Sequence, residues 1–211
     1  MSDSTILECR QCGRLARFLA QVRKDHPDYH ARPVLPFGAA APKLLIVGLA
    51  PGMHGANRTG RPFTGDYAGD LLYPTLTDYG FARGTYEERP DDGLTLLDAR
   101  ITNAVHCVPP ENKPTPAEIN TCREAYLARR IPAMPRLRAI VALGRIAHES
   151  ALRALGTRLA AAPFVHGTRH SIGALALFDS YHCSRYNTNT GVLTTDMFRA
   201  VFRDVRRYLD A

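Results

Sequence analysis

The chain has 211 residues, enough to bury a full core without disulfide help, and an apolar share of 45% excludes a disordered or fibrous class. No run of about 18 apolar residues occurs, and the start MSDSTILECRQC lacks a basic-then-apolar leader, so neither a membrane helix nor a secretory signal is expected and a cytoplasmic location is. A net charge of +7 and a pI near 9.4 suit a polyanionic partner, nucleic acid above all.

The elements follow in order along one domain, 1–211, whose first 40 residues carry a cysteine pair. CGRLARFLAQVRKD spaces Leu15, Phe18, Leu19 and Val22 as a helix with arginines opposite. A Pro-rich connector leads to a buried strand over 43–49, and a helix is predicted over 68–79, with Pro74 kinking or delaying it. A second strand is predicted over 99–107. The helix over 114–130 has a clear start: Thr115 as N-cap, Pro116 at the first position and Glu118 completing a capping box. Strand 138–144, a helix through IAHESALRAL and strand 174–182 follow. A last helix begins near Thr194 or Thr195, with Met197, Phe198, Val201, Phe202, Val205, Tyr208 and Leu209 on its apolar face. Strands alternating with helices predict a mostly parallel sheet sandwiched by helices, with its site outside the carboxyl ends of the strands.

Five cysteines do not close into a disulfide framework. Cys9 and Cys12 form a C-x-x-C pair, and Cys107 and Cys122 lie far downstream. The capped helix sets Ile119, Cys122 and Tyr126 on one face, so Cys122 can point towards the end of strand two. Four thiolates suit a 4Fe–4S cluster or structural zinc, and spacing does not separate the two; unrelated buried thiols are the bland alternative. Cys183 reads as filling space.

The stretch GLAPGMHGANRTGRPFTGD (48–66) is glycine-rich but is neither a phosphate-binding P-loop nor a dinucleotide fingerprint. Asn57, Arg58, Thr59 and Arg61 make it rich in donors suited to a phosphodiester or a base edge. Phe63 is its aromatic ring and Asp66 its carboxylate. After strand four, YHCSRYNTNTG offers His182, Ser184, Arg185 and Tyr186.

Together with ITNAVHCVPPENKPTP (101–116), VALGRIA (141–147) and SYHCSRYNTNTGVLT (180–194), this stretch resembles the uracil-DNA glycosylase superfamily, most closely its iron–sulfur family 5, the UDGb type. The resemblance covers nearly the whole chain in the right order. It implies a three-layer α/β/α sandwich with a central four-stranded parallel sheet, and a 4Fe–4S cluster on Cys9, Cys12, Cys107 and Cys122. It implies a monomeric, monofunctional, nucleoid-associated bacterial DNA glycosylase that starts base excision repair. The expected substrate is double-stranded DNA containing deaminated bases: uracil, with hypoxanthine and xanthine as further candidates and single-stranded DNA as a second form. No membrane partner is expected.

By the same resemblance Gly52 and Phe63 meet the flipped base, Asn103 bonds its polar edge, and His182 stabilises negative charge developing on it. Arg185 and Tyr186 probe the duplex and fill the gap. Related families place Asp, Asn or Glu in the first turn, whereas Gly48-Leu49-Ala50-Pro51-Gly52 is apolar here. Asp66 is therefore the expected water-activating residue, with a helix N-cap as its alternative role. The apolar turn also leaves open a catalytically weak iron–sulfur protein that recognises damaged DNA. A metal-dependent nucleotide hydrolase would need carboxylate clusters that this sequence lacks.

Overall fold

The computed structural model describes residues 4–211; residues 1–3 of the predicted domain lie outside them. The helix α1 (Gly13–Asp25) buries Leu15, Leu19 and Val22 and leaves Phe18 half-buried. The strands are β1 (Phe37–Gly38), β2 (Leu44–Gly48), β3 (Ala99–Asn103), β4 (Ala139–Leu143), β5 (Arg169–Ile172) and β6 (Leu175–Ser180). Between and after them run helices α2 (Tyr67–Asp78), α3 (Pro116–Cys122), α4 (Arg145–Ala154), α5 (Arg185–Asn189) and α6 (Thr195–Asp210).

These six strands form one sheet in the order β1-β3-β2-β4-β6-β5, and Ala82–Arg83 pairs with Thr95–Leu96 in a separate two-stranded sheet. The four inner strands are mutually parallel, and β1 and β5 add antiparallel edges. Every residue of β2, β3 and β4 is buried, as expected of parallel strands covered on both faces. Alternate side chains supply two cores. Leu44, Ile46, Ile101, Val141 and Phe178 meet α2 and α6 on one side. Leu45, Val47, Ile140, Ala142 and Leu177 meet α4 and the end of the α3 segment on the other. The predicted sandwich with a four-stranded parallel centre is present, widened by two edge strands.

Two further differences are local. Strand two is regular only to Asn103 rather than to Cys107, although the amides of Ala104 and Val105 still donate to the carbonyls of Gly48 and Leu49 in the same parallel register. The α2 helix passes through Pro74 unbroken, and the Thr75 hydroxyl donates to the Leu71 carbonyl at 2.7 Å beside it.

The chain crosses β2 to β3 on one side and then returns to β4 on the other, so the reversal in strand order lies beside the carboxyl end of β2. A crevice opens at such a reversal. Among the described residues no helix is long and apolar enough to cross a membrane.

The sandwich relies on α6, whose Phe198, Val201, Phe202, Val205 and Leu209 are buried and whose N-cap Thr194 accepts from the Met197 amide at 3.2 Å. Phe202→Ala should cost about 3–5 kcal/mol and Thr194→Ala about 1 kcal/mol, both read from urea denaturation midpoints.

Candidate active site and a neighbouring cysteine cluster

A cavity of about 610 Å³ occupies the crevice at the carboxyl ends of β2, β3 and β6. Gly52, Phe63, Asp66, Asn103, His182 and Arg185 all line it. Tyr186 alone of the expected substrate-binding residues stands apart, 73% exposed on α5. Arg185 stays beside the mouth, its guanidinium 5.4 Å from the Tyr67 ring centroid.

Backbone shape sets the cavity floor. A β-carbon at Gly48 would lie 2.4 Å from Asn103 Oδ1 and 2.6 Å from Phe63 Cζ, so only glycine lets both side chains approach the end of β2. Phe63 itself has φ of 53°, a left-handed conformation uncommon for an aromatic residue. Its ring lies 5.9 Å from that of His182 at an interplanar angle of 28°. Asn103 is buried, and its Oδ1 has no hydrogen-bond partner.

His182 follows β6 on the cavity wall. Burial pushes its pKa down to about 4, so at neutral pH the imidazole is uncharged and carries one N–H to donate. Its carbonyl accepts from Asn187 Nδ2 at 2.9 Å, which fixes the turn into α5.

Asp66 occupies the N-cap position of α2 but its side chain makes no capping hydrogen bond. Oδ1 is buried without a partner, and the carboxylate packs where a β-carbon on Gly55 would sit, 2.3 Å from Oδ2 and 2.7 Å from Asp66 Cβ. Burial raises its pKa above the ordinary carboxylate value; the amides of Gly69 and Ala68 oppose this, while Asp70 and Glu88 add to it.

Most donors of the glycine loop are engaged within the protein rather than turned to a phosphodiester, while Arg58 stays exposed. Arg61 is buried and clasps Asp92 with two bonds of 2.7 Å. Asn57 is buried, Thr59 Oγ1 donates to the Gly55 carbonyl at 3.2 Å, and Arg58 Nε donates to the His54 carbonyl at 2.6 Å. These groups staple the loop to itself.

Sequence reasoning passed over two lining residues, His54 and Asn112. His54 Nδ1 lies 2.9 Å from the Tyr29 hydroxyl. Asn112 and its neighbour Glu111 both have left-handed backbone, φ 56° and 55°. An asparagine between prolines was the available signal, since asparagine tolerates that region.

Cys9, Cys12, Cys107 and Cys122 line one smaller cavity together with Tyr126. Ile119, Cys122 and Tyr126 share a face as expected. Burial, then the neighbouring thiols, push the Cys107 pKa up; burial takes Cys122 to about 12, opposed by the His106 amide that donates to its sulfur at 3.4 Å. Two elements meet here through one carboxylate. Glu118 accepts from Arg14 of α1 at 2.8 and 2.7 Å and from the Thr115 amide at 2.8 Å, completing the capping box of α3. Cys183 is fully buried in the main core, a space-filling role.

Among the described residues, the three metal-capable groups whose ligand atoms come within 4.8 Å of one another are His148, His170 and Asp179. There the carboxylate already accepts from His148 at 2.6 Å, His170 at 2.9 Å and the Val165 amide at 3.2 Å. The trio is a hydrogen-bonded staple near the end of β6. The four cysteine sulfurs do not form so tight a set.

Residues 35–206 match the family model described as the uracil DNA glycosylase superfamily. The chain is 44% identical to the type-5 uracil-DNA glycosylase of Thermus thermophilus over 209 residues, covering 96% of this chain and 94% of that protein. It is 42% identical to the type-5 enzyme of Mycobacterium bovis, covering 97% and 80%. The type-5 enzyme of Pyrobaculum aerophilum matches at 38%, covering 94% and 88%. With the motifs gathered around one cavity and relatives matching along nearly its whole length, the chain belongs to the uracil-DNA glycosylase superfamily and, within it, to the type-5 group.

Proposed function

We propose that the protein flips deaminated bases out of DNA and hydrolyses their N-glycosidic bond, leaving an abasic site. The observation that carries this reading is a buried carboxylate oxygen of Asp66, without a hydrogen-bond partner, on the wall of a cavity whose opposite groups suit a flipped base. Phe63 offers the face on which the base stacks. The Asn103 amide donates to a ring carbonyl and accepts from the adjacent ring N–H. Uracil, hypoxanthine and xanthine all present that carbonyl beside an N–H, whereas cytosine and adenine present an amino group beside a bare nitrogen. One amide can therefore read the deaminated edge in all three.

As the bond between C1′ and the base nitrogen breaks, positive charge gathers on the sugar and negative charge on the base. Neutral His182 donates its N–H to the base oxygen where that charge settles. Asp66 accepts a proton from water, whose oxygen bonds to C1′, and its charge stabilises the sugar cation. No lysine lines the cavity among the described residues, which supports a monofunctional reaction without a Schiff base. Double-stranded DNA is the proposed substrate, bound by a monomer.

The four cysteines line one cavity and supply the all-thiolate donor set that a 4Fe–4S cluster takes. When bound, the cluster would cross-link α1, the turn after β3 and α3. No catalytic step requires it.

Incubating uracil-containing duplex with the protein and then with alkali should break the strand; an intact strand with uracil, hypoxanthine and xanthine substrates alike would leave a damage-recognition protein as the better reading. Asp66→Asn should lose most of the turnover, about 100-fold or more, yet bind DNA and melt at a higher temperature at pH 7. The sign follows from linkage: a carboxyl group whose folded pKa is raised opposes folding as pH climbs past its ordinary value, and in full once pH exceeds the raised one. Were Asp66 only a cap, asparagine would serve equally well and change neither quantity. Gly55→Ala, which displaces Asp66, should reproduce the loss of turnover.

The rate should fall as pH drops through the raised Asp66 pKa, with a midpoint above the ordinary carboxylate value. His182→Gln should lower the plateau without moving that acid limb, because His182 is already neutral above about pH 4. For the cysteines, anaerobically purified protein should be brown, with broad absorption near about 400 nm from thiolate-to-iron charge transfer. Cys122→Ser should bleach it, and a colourless wild-type protein carrying zinc would refute the cluster.

A further inference from the structure

We propose that Tyr86 and Asp92, from a segment outside every recognised motif, are positioning residues for the Phe63 ring. The inference rests on the reading above that Phe63 stacks on the flipped base. Phe63 is held in a left-handed backbone at φ 53°, which an aromatic residue does not adopt without support from its surroundings. The support is specific. The Tyr86 hydroxyl accepts from the Gly65 amide at 3.1 Å and donates to the Phe63 carbonyl at 3.3 Å, bridging the two peptides that follow Phe63. Tyr73 donates to the Pro62 carbonyl at 2.5 Å. Arg61 Nε donates to Thr64 Oγ1 at 2.7 Å.

Arg61 is in turn fixed by Asp92. Its guanidinium makes both 2.7 Å bonds to that carboxylate and lies 5.2, 5.3 and 5.8 Å from the ring centroids of Phe37, Tyr73 and Tyr86. Asp92 also accepts from the amides of Glu87 and Leu94 at 3.1 and 3.0 Å, which orders the segment that presents Tyr86. The Arg61 bond holds the Asp92 pKa far below the ordinary carboxylate value, so the pair stays charged across the working pH range. The α2 helix closes the assembly: a β-carbon on Gly69 would sit 2.1 Å from the Phe63 carbonyl oxygen and 2.3 Å from the Tyr86 hydroxyl. The polar groups flanking the stacking ring are thus tied to an anchor that reaches neither the base nor the sugar.

Tyr86→Phe tests the assignment, since it keeps the ring packing and deletes only the hydroxyl. Single-turnover excision of uracil from duplex DNA should slow about tenfold, as expected for a displaced contact group, with affinity for an abasic-site duplex unchanged and only a small drop in melting temperature from the lost hydroxyl bonds. The same substitution made in a Phe63→Ala protein should slow excision less than about twofold, because the group through which Tyr86 acts is gone. Equal slowing in both backgrounds, or none in the first, would overturn the proposal. Phe63→Ala alone at the wild-type rate would instead overturn the stacking reading and the proposal resting on it. Asp92→Asn should show the same dependence on Phe63, with an added loss of stability from the half-paired Arg61.

Discussion

Close backbone approach at the end of β2 is the constraint on which the site depends. Gly48 leaves room for Phe63 and Asn103 to meet over the strand, and Gly55 leaves room for Asp66 to fold back beneath them. A single methyl group at either position would enter space that the functional side chains occupy. The glycine content of this stretch thus owes less to flexibility than to volume. The loop is tied to itself and its surroundings, with Thr59 and Arg58 donating to its own carbonyls and Arg61 buried against Asp92.

The same turn joins the two cavities. Ala50 lines the large one and packs against the cysteine-bearing core, and the carbonyls of Gly48 and Leu49 hold the segment that leads from Asn103 to Cys107. Whatever orders the four cysteines therefore acts within four residues of Asn103, the asparagine proposed to read the base. Glu118 extends the connection, since one carboxylate caps α3 and tethers α1 through Arg14. Its pKa is lowered chiefly by that arginine bond, which keeps it ionised.

Legibility from sequence followed how local each cause was. The capping box at Thr115 and Glu118, the apolar face of α6 and the buried parallel strands are all set by neighbouring residues, and each was readable. The edge strands β1 and β5 were not: one has two residues, and the other, Arg169–Ile172, presents half-exposed side chains with no apolar alternation. α5 was read as a loop because its five residues are polar. Arg61 was misread for a different reason. A buried arginine and a surface arginine look alike in a sequence, and its partner Asp92 lies 31 residues away in a segment without periodicity. Sequence resemblance found six of the cavity's lining residues but gave no reason for Gly55, whose meaning appears only when Asp66 is seen filling its side-chain space.

Burial moves the two central titratable groups in opposite directions, Asp66 upward and His182 down to about 4. Both shifts come from the same exclusion of water, and together they suit the proposed charge separation. A neutral histidine offers the proposed base a donor without adding positive charge to the cavity, and the proposal leaves Asp66 as the charge that faces the sugar. The carboxylate's ionised form is the expensive one in this setting, and related families keep their polar residue in the first turn instead. Here that turn is apolar and packed against the cysteine core, so the carboxylate enters from the other end of the loop, at the start of α2. The glycine at position 55 and the aspartate at position 66 are then one device: the space given up by the first is what lets the second keep one carboxylate oxygen buried and without a partner on the cavity wall.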